Sequence, residues 1–325
     1  MDTLLDGLVI QEQSGFFWVE VADGKVYMCR LRGRLLEEAQ SSDIAAIGDQ
    51  VKISILENDE SGDKGSIEVV EERQSALSRS MRTEGNRGSG EAEREQVIVA
   101  NAELILFVFS IAKPIPDLRM LDRFLVAGEK SGIDKLVIVV NKADLEDEVH
   151  SHKKFDAYKK MGYTVLHTSA KEERGIETLR DMLKGKISAF TGPSGVGKTS
   201  LLNLIQPGLA RQVKQVSRMR QEGIHTTRDS ALIKLDPAVY GEKTYLADTP
   251  GIRTLAFYDV EPEELDAYFI DIAEHVENCR FGNCSHVSEP KCAVRAAVKT
   301  GKISQTRYKN YLILREELEE LYATY

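Results

Sequence analysis

Eight residues, "GPSGVGKT" from Gly192 to Thr199, follow an apolar strand-like run "ISAFT" and precede a helix-like "SLLNLI". Glycines at this spacing let the backbone N–H groups of Gly192, Ser194, Gly195, Val196 and Gly197 turn toward phosphate oxygens, while Pro193, which has no N–H, contributes shape only. A helix opening at Lys198, Thr199 and Ser200 adds its N-terminal dipole. Lys198 can reach the β and γ phosphates, and the Thr199 hydroxyl can ligate Mg²⁺. Downstream, "DTPG" (Asp248 to Gly251) ends another strand-like run, where Asp248 can hold the Mg²⁺ shell and the Gly251 N–H can sense the γ phosphate. Between them "EGIHTTRD" offers Thr226 and Thr227 to close over the metal and γ phosphate. Both threonines qualify, with Thr227 assigned to magnesium beside Thr199. Lys198, Asp248 and His225 form the catalytic set, His225 or a partner group positioning the water. The residue after Gly251 is Ile252, which cannot orient water as a glutamine there would, so slow intrinsic hydrolysis is expected.

Two further tetrapeptides choose the base. "NKAD" supplies Asp144 to accept from guanine N1–H and the exocyclic amine, donors adenine lacks. Asn141 is expected to bond the far edge of the base and the Lys142 stem to cover its face. "TSAK" supplies backbone N–H groups near Ser169 and Ala170 for the guanine oxygen. These base-reading motifs precede the phosphate loop, the reverse of the usual order. A doubly wound sheet gathers such loops at the carboxyl ends of its strands whatever their chain order. A fold cut after the switch II strand, with its old termini joined, gives this sequence of motifs.

A third constellation is Cys279-x₄-Cys284-x-His286-x₅-Cys292, three thiolates and one imidazole. That is a closed tetrahedral donor set for one structural zinc. His275 is a second-choice ligand, and Cys29 reads as a core residue.

The elements that must position these groups fall into four stretches. Residues 1–72 carry five short β-rich runs and read as an OB-like barrel that binds RNA. Residues 73–96 are polar, Gly/Ser-rich and arginine-bearing, and read as a flexible linker. Residues 97–260 alternate apolar runs with amphipathic segments at 116–131, 146–161 and 175–184, the βα alternation of a parallel sheet with helices on both faces. Residues 261–325 read as a helical zinc-binding domain. The fold class is therefore multi-domain α/β.

Net charge is −9, from 43 Lys and Arg against 52 Asp and Glu, which excludes a protein that coats nucleic acid with its whole surface. Basic runs at 211–220 and 298–310 are candidate RNA contacts. Four cysteines do not make a disulfide framework, the start "MDTLLDG" lacks the pattern of a signal peptide, and "LILFVFSIA" is too short to span a bilayer. The expected location is the cytoplasm.

Together, the OB-like start, the order NKAD, TSA, GPSGVGKT, HTT, DTPG and the C-terminal Cys₃His set resemble one family over essentially the whole chain. It is the circularly permuted, small-ribosomal-subunit-dependent GTPases of the RsgA or YjeQ type. "ANAELILFVFSIAKPIPDLRMLDRFL" is also similar to that family's lead-in to its guanine motif. The resemblance implies a late-acting assembly factor that binds GTP/GDP, Mg²⁺ and Zn²⁺. It further implies hydrolysis stimulated by the small (30S) subunit, coupled to factor release, with 16S rRNA as partner. Membrane and DNA are not expected partners, and a monomer is expected. The family's histidine before the switch threonines maps onto His225. Two alternatives stand beside this reading: a permuted GTPase of the large subunit, and an RNA-binding assembly protein for which GTP is a structural or regulatory ligand.

Overall fold

The structure is a computed structural model that describes residues 4–33, 35, 43–56, 62–81, 94–145, 155–213, 230–248 and 260–323. Its main sheet has eleven strands in the order β10-β9-β8-β11-β13-β12-β1-β2-β3-β5-β4.

One end of this sheet closes on itself. Strands β1 (Leu5–Gln13), β2 (Phe16–Val21), β3 (Val26–Leu31), β4 (Gln50–Ile55) and β5 (Lys64–Val70) form a barrel, because β1 pairs with both β2 and β4. Alternation drives it: in β2, Phe17, Val19 and Val21 point inward while Phe16, Trp18 and Glu20 face out. Cys29 lies at 0% exposure in the barrel core, where burial pushes its thiol up to about 12. It is a core residue, as its apolar neighbours in sequence imply.

The other end is the α/β layer. Strands β8 (Leu104–Ser110), β9 (Lys135–Asn141), β10 (Thr164–His167), β11 (Ile187–Thr191) and β13 (Tyr245–Asp248) run parallel, with β12 (Ser230–Lys234) antiparallel beside β13. All seven residues of β8 are buried, as expected of a central parallel strand covered on both faces. One face packs on α1 (Leu118–Lys130), the other on α2 (Ile176–Leu183) and α3 (Lys198–Ile205). Helix α1 begins where the Asp117 side chain accepts from the N–H groups of Arg119 and Met120. The strand order reverses between β8 and β11, so the crevice for a ligand lies at the carboxyl ends of those strands.

The two parts share a ladder. Gln11 of β1 pairs with Trp18 on one side and with Ala231 of β12 on the other, and Ala231 in turn opposes Asp248. Glu20 holds Lys234 at 2.6 Å and Tyr245 at 2.8 Å across this seam.

The stretch read as a flexible linker is in part a strand. β6 (Ala76–Met81) pairs with β7 (Arg94–Ala100), and Leu77 is buried in the main core. Its Ser/Arg-rich composition hid the period-two pattern, in which only Ala76 and Leu77 are apolar before Met81. Residues 82–93 lie outside the described part.

Beyond residue 260 the chain is helical, with α4 (Ile270–Val276), α5 (Ala293–Lys299) and α6 (Gln305–Ala323). Their core includes Val126 of α1, so this module packs on the α/β layer. Among the described residues, no helix is long and apolar enough to cross a membrane.

Candidate functional site

The carboxyl ends of β9, β10 and β11 bring NKAD, TSAK and the phosphate loop to one edge, joined by Asn141. This residue is 1% exposed; its Nδ2 donates to the Val196 carbonyl at 2.9 Å. Its Oδ1 accepts from Thr168 Oγ1 at 3.1 Å and from the Ala170 N–H at 3.2 Å. Its amide is bonded to the two neighbouring loops. The physical reason is depth: it ends β9 beneath the site, where an unpaired amide would be costly to bury.

The Ser169 and Ala170 N–H groups bond within the protein. Ala170 donates to Asn141, and Ser169 exchanges backbone bonds with Arg174 at 3.0 and 3.1 Å, closing the turn 169–174. The part Ser169 plays is through its hydroxyl, which donates to Asp144 Oδ1 at 2.7 Å and accepts from the Glu172 N–H at 3.1 Å. That hydroxyl holds the Asp144 carboxyl below its ordinary value. Asp144 therefore stands ionised and aimed, as a reader of two guanine donors must be.

Lys142 spans from the base-reading loop to the phosphate loop. Its Nζ donates to the Gly195 carbonyl at 2.7 Å and to the Lys113 carbonyl, which brings Lys113 and Pro114 beside the phosphate loop. Lys198 opens α3, and its Nζ lies 2.6 Å from the Gly192 carbonyl and bonds the Pro193 carbonyl, folded back over its own loop. Thr199 and Ser200 are exposed in the first turn of that helix. Asp248 ends β13, next to β11, which puts its backbone beside the phosphate loop. His225, Thr226, Thr227 and Gly251 lie outside the described residues.

Glycine is required at two of these positions by contact as well as by conformation. Gly192 has φ +145° and a Cβ there would sit 2.1 Å from the Val108 carbonyl. Gly197 has φ +95° and a Cβ there would sit 2.3 Å from Asn141 Nδ2. Gly197→Ala is therefore expected to push Asn141 off Val196 and reduce nucleotide affinity about a hundredfold, the worth of a lost buried amide bond plus backbone strain. Nucleotide titration measures it; unchanged affinity would show that the loop relaxes freely.

A second centre lies in the C-terminal module. Cys279, Cys284, His286 and Cys292 place one ligand atom each within 4.8 Å of one another. His286 Nδ1 is 3.6 Å from Cys279 Sγ and 3.4 Å from Cys292 Sγ, and the two sulfurs are 3.9 Å apart. A tetrahedral ion with metal–sulfur bonds of about 2.3 Å and metal–nitrogen bonds of about 2.0 Å produces edges of this length. His275 lies on α4 outside this cluster. Two backbone hydrogen bonds prepare the donors. Cys292 Sγ accepts from the Arg295 N–H at 3.4 Å, and Cys279 Sγ from the Ala293 N–H at 3.4 Å. Burial opposes the Cys279 thiolate, but the N–H groups of Val294 and Ala293 together with the bonds to Cys292 and Cys284 bring the thiol below its ordinary value.

Asp266 completes the centre and sequence spacing did not find it. Its Oδ2 lies 3.0 Å from His286 Nε2, fixing the proton there and leaving Nδ1 as the donor toward the cluster. Twenty residues separate the two in sequence, with no motif between them.

The basic run 298–310 is not a uniform RNA face. Lys299, Lys302 and Lys309 are exposed, but Arg307 is 2% exposed and bonded to Asp122 and Asp271. Residues 214–220 of the other run lie outside the described part.

Comparison with known proteins follows from this geometry. The RsgA GTPase family model matches residues 70–258 and the RsgA N-terminal domain model residues 6–63. The chain is 36% identical over 320 residues to the small ribosomal subunit biogenesis GTPase RsgA of Chlorobaculum parvum, covering 98% of this chain and 100% of that one. It is similar to the crystal structure of YjeQ from Thermotoga maritima, with TM-score 0.74, 35% identity and coverage of 97% and 99%. It is also similar to YloQ, a circularly permuted GTPase, with TM-score 0.71, 28% identity and coverage of 98% and 96%.

Proposed function

The chain belongs to the RsgA GTPase family, and on that premise we propose that it hydrolyses GTP during late maturation of the small ribosomal subunit. As a member of that family it is a GTP hydrolase working on GTP with Mg²⁺. The observation that carries the reading is the assembly of NKAD, TSAK and the phosphate loop around Asn141 in permuted order. The name of its relative in Chlorobaculum parvum supports the small subunit as the partner.

Asp144 selects guanine, and the N–H groups of Gly192 and residues 194–197 with Lys198 hold the phosphates. Thr199, Thr227 and Asp248 would hold the Mg²⁺, which would supply charge neutralisation at the phosphates. His225, or a group from the subunit, orients the water, while Lys198 offsets charge developing on the β–γ bridge. Release then follows from loss of the γ phosphate contacts at Thr226, Thr227 and Gly251. Zinc, bound by Cys279, Cys284, His286 and Cys292, would supply a folding cross-link and no chemistry, since all four positions are protein-filled. Elemental analysis should find one zinc per chain; a metal-free, folded protein would refute this. 16S rRNA is the nucleic-acid partner in this reading, the chain acts as a monomer in the cytoplasm, and the domains divide near residues 72 and 260.

One experiment tests the core of the proposal. GTP turnover is measured with small or large ribosomal subunits added to wild type and to His225→Ala. Small subunits should raise the wild-type rate by about 10²-fold or more, within the range that water-positioning and charge-stabilising groups supply, and the variant should lose most of that gain. Stimulation by large subunits alone would overturn the assignment. Full stimulation of the variant would remove His225 from the catalytic set.

A further inference from the structure

The run "TRYKNYL", Thr306 to Leu312, opens α6 with two pairs of polar-tipped side chains. Arg307 and Asn310 stand three residues apart, and so do Tyr308 and Tyr311, so each pair shares a face, the two faces turned by about 100°. The first face meets the α/β layer. Arg307 and Asn310 Nδ2, the latter at 2.6 Å, both donate to the Asp122 carboxylate of α1. The second face meets the loop that carries a metal ligand. Tyr308 Oη donates to the His286 carbonyl at 2.5 Å, and Tyr311 Oη to the Ser285 carbonyl at 3.1 Å. The two tyrosine rings are stacked, with centroids 6.4 Å apart.

His286 needs such support. It is fully buried, and its φ of +62° is a left-handed conformation that a side-chain-bearing residue keeps only where its surroundings hold it. Asp266 holds the ring at Nε2 and Tyr308 holds the backbone at the carbonyl, so together they set where Nδ1 points. Within the loop, Glu289 accepts from the N–H groups of Ser285 and Ser288 at 2.7 and 3.1 Å. Asp266 itself lies in the short helical turn Leu265–Tyr268, and Glu264 just before that turn bonds Lys130 of α1 at 2.8 Å. Both supports of His286 therefore lead to α1, one through α6 and one through the Asp266 turn.

We propose that zinc uptake and docking of the C-terminal module on α1 are one linked equilibrium, with Tyr308 and Tyr311 as the positioning residues that carry the linkage. The linkage rests on the proposed zinc occupancy and adds which residues tie that site to the GTPase layer. A single helical turn that bonds Asp122 on one face and the His286 loop on the other makes both sets of bonds in one placement. Whatever favours one set then favours the other by the same factor.

The experiment uses the full-length protein. Zinc affinity is measured by competition with a chromophoric chelator, and hydrogen exchange is read on zinc-loaded and chelator-stripped wild type. Tyr308→Phe keeps the ring and removes only the hydroxyl, and it should weaken zinc binding about tenfold, as loss of a support to a metal-ligating histidine does. Asn310→Ala removes a bond to α1 and keeps the Asp122–Arg307 pair, and by linkage it should weaken zinc about threefold or more. In a Tyr308→Phe/Tyr311→Phe background that second effect should vanish, whereas a general loss of stability would persist there. Stripping zinc should raise exchange in α6 and in the Asp122 turn of α1 while β8 and β11 stay protected. Circular dichroism confirms that the variants fold. Equal zinc affinity in wild type, Tyr308→Phe and Asn310→Ala would overturn the linkage. Exchange that rises in the zinc loop alone, or across the whole sheet, would overturn it as well, and so would an Asn310→Ala effect that survives in the double-Phe background. A wild type that takes up no zinc would instead overturn the zinc assignment on which the linkage stands.

Discussion

Asp144→Asn should lose GTP and gain xanthosine triphosphate. In the proposed role the carboxylate accepts two hydrogen bonds from guanine, and Ser169 Oγ, 2.7 Å away, aims it. An asparagine at this position puts an amide NH₂ against a guanine donor, so one bond is lost and a donor–donor repulsion replaces it. Xanthine carries an oxygen where guanine carries its amine, which suits the new amide. Two charge-assisted bonds are worth about 1.5–3 kcal/mol each, so GTP affinity should fall by about 10²–10⁴-fold. Competition between the two nucleotides for the wild type and the variant measures the exchange. If the variant kept wild-type GTP affinity, Asp144 would not be reading the base. The Ser169 hydroxyl also sets a pH expectation. A carboxyl held below its ordinary value stays ionised as pH falls through the usual carboxylate range, so guanine selectivity should persist in mild acid. Ser169→Ala should bring the loss of selectivity to higher pH.

The second large effect is structural. Asp122, 0% exposed on α1, accepts from Arg307, from Asn310 Nδ2 at 2.6 Å and from Tyr158 at 2.8 Å. Arg307, 2% exposed on α6, also reaches Asp271 at 3.2 Å and lies over the Phe269 ring at 4.2 Å. Burial pushes the Asp122 carboxyl up from its ordinary value, opposed by Arg307, Asn310 and Tyr158. Removing the carboxylate strands a buried guanidinium with half its charge partners, so Asp122→Ala should cost about 3–5 kcal/mol of stability. The loss should fall on the docking of the C-terminal module, since this cluster and Val126 join it to α1. Urea unfolding measures the total, and hydrogen exchange on α6 locates it. Asp122→Ala combined with Arg307→Met should recover part of the loss, because the stranded charge is then gone too. Equal loss in the single and double variants would mean that packing, not the unpaired charge, is responsible.

These two residues mark the boundary of what the sequence reveals. Asp144 was legible because it belongs to a contiguous tetrapeptide at a strand end, a local pattern that fixes both its identity and its place. Lys198, the phosphate-loop glycines and the Cys₃His set were legible for the same reason, since each motif lies within 14 residues. Asp122 and Arg307 are 185 residues apart, and the long-range pair has no spacing signal. Arg307 even pointed the wrong way, because a lysine- and arginine-rich helix reads as a solvated face until its partner helix is known.

Asn141 shows the same divide within a single motif. Its residue type and position at the end of β9 follow from the sequence, but its depth does not. Only the packing of β9 between β8 and β10, with Val196 above it, makes its amide the bond between loops. Ser169 likewise has a part that its motif did not reveal, a hydroxyl that orients Asp144 while the turn 169–174 occupies its N–H.

The sequence by itself determined the nucleotide, the metal donors, the permuted order and the alternation of strands and helices. Those depend on short-range chemistry and on periods of two and 3.6 residues, which are written along the chain. The tertiary structure alone decided the seam between β1 and β12, the strand at 76–81, the Asp266 support of His286 and the burial of Arg307. Each is a pairing of distant segments, chosen by which buried polar groups could find partners once the sheet had closed.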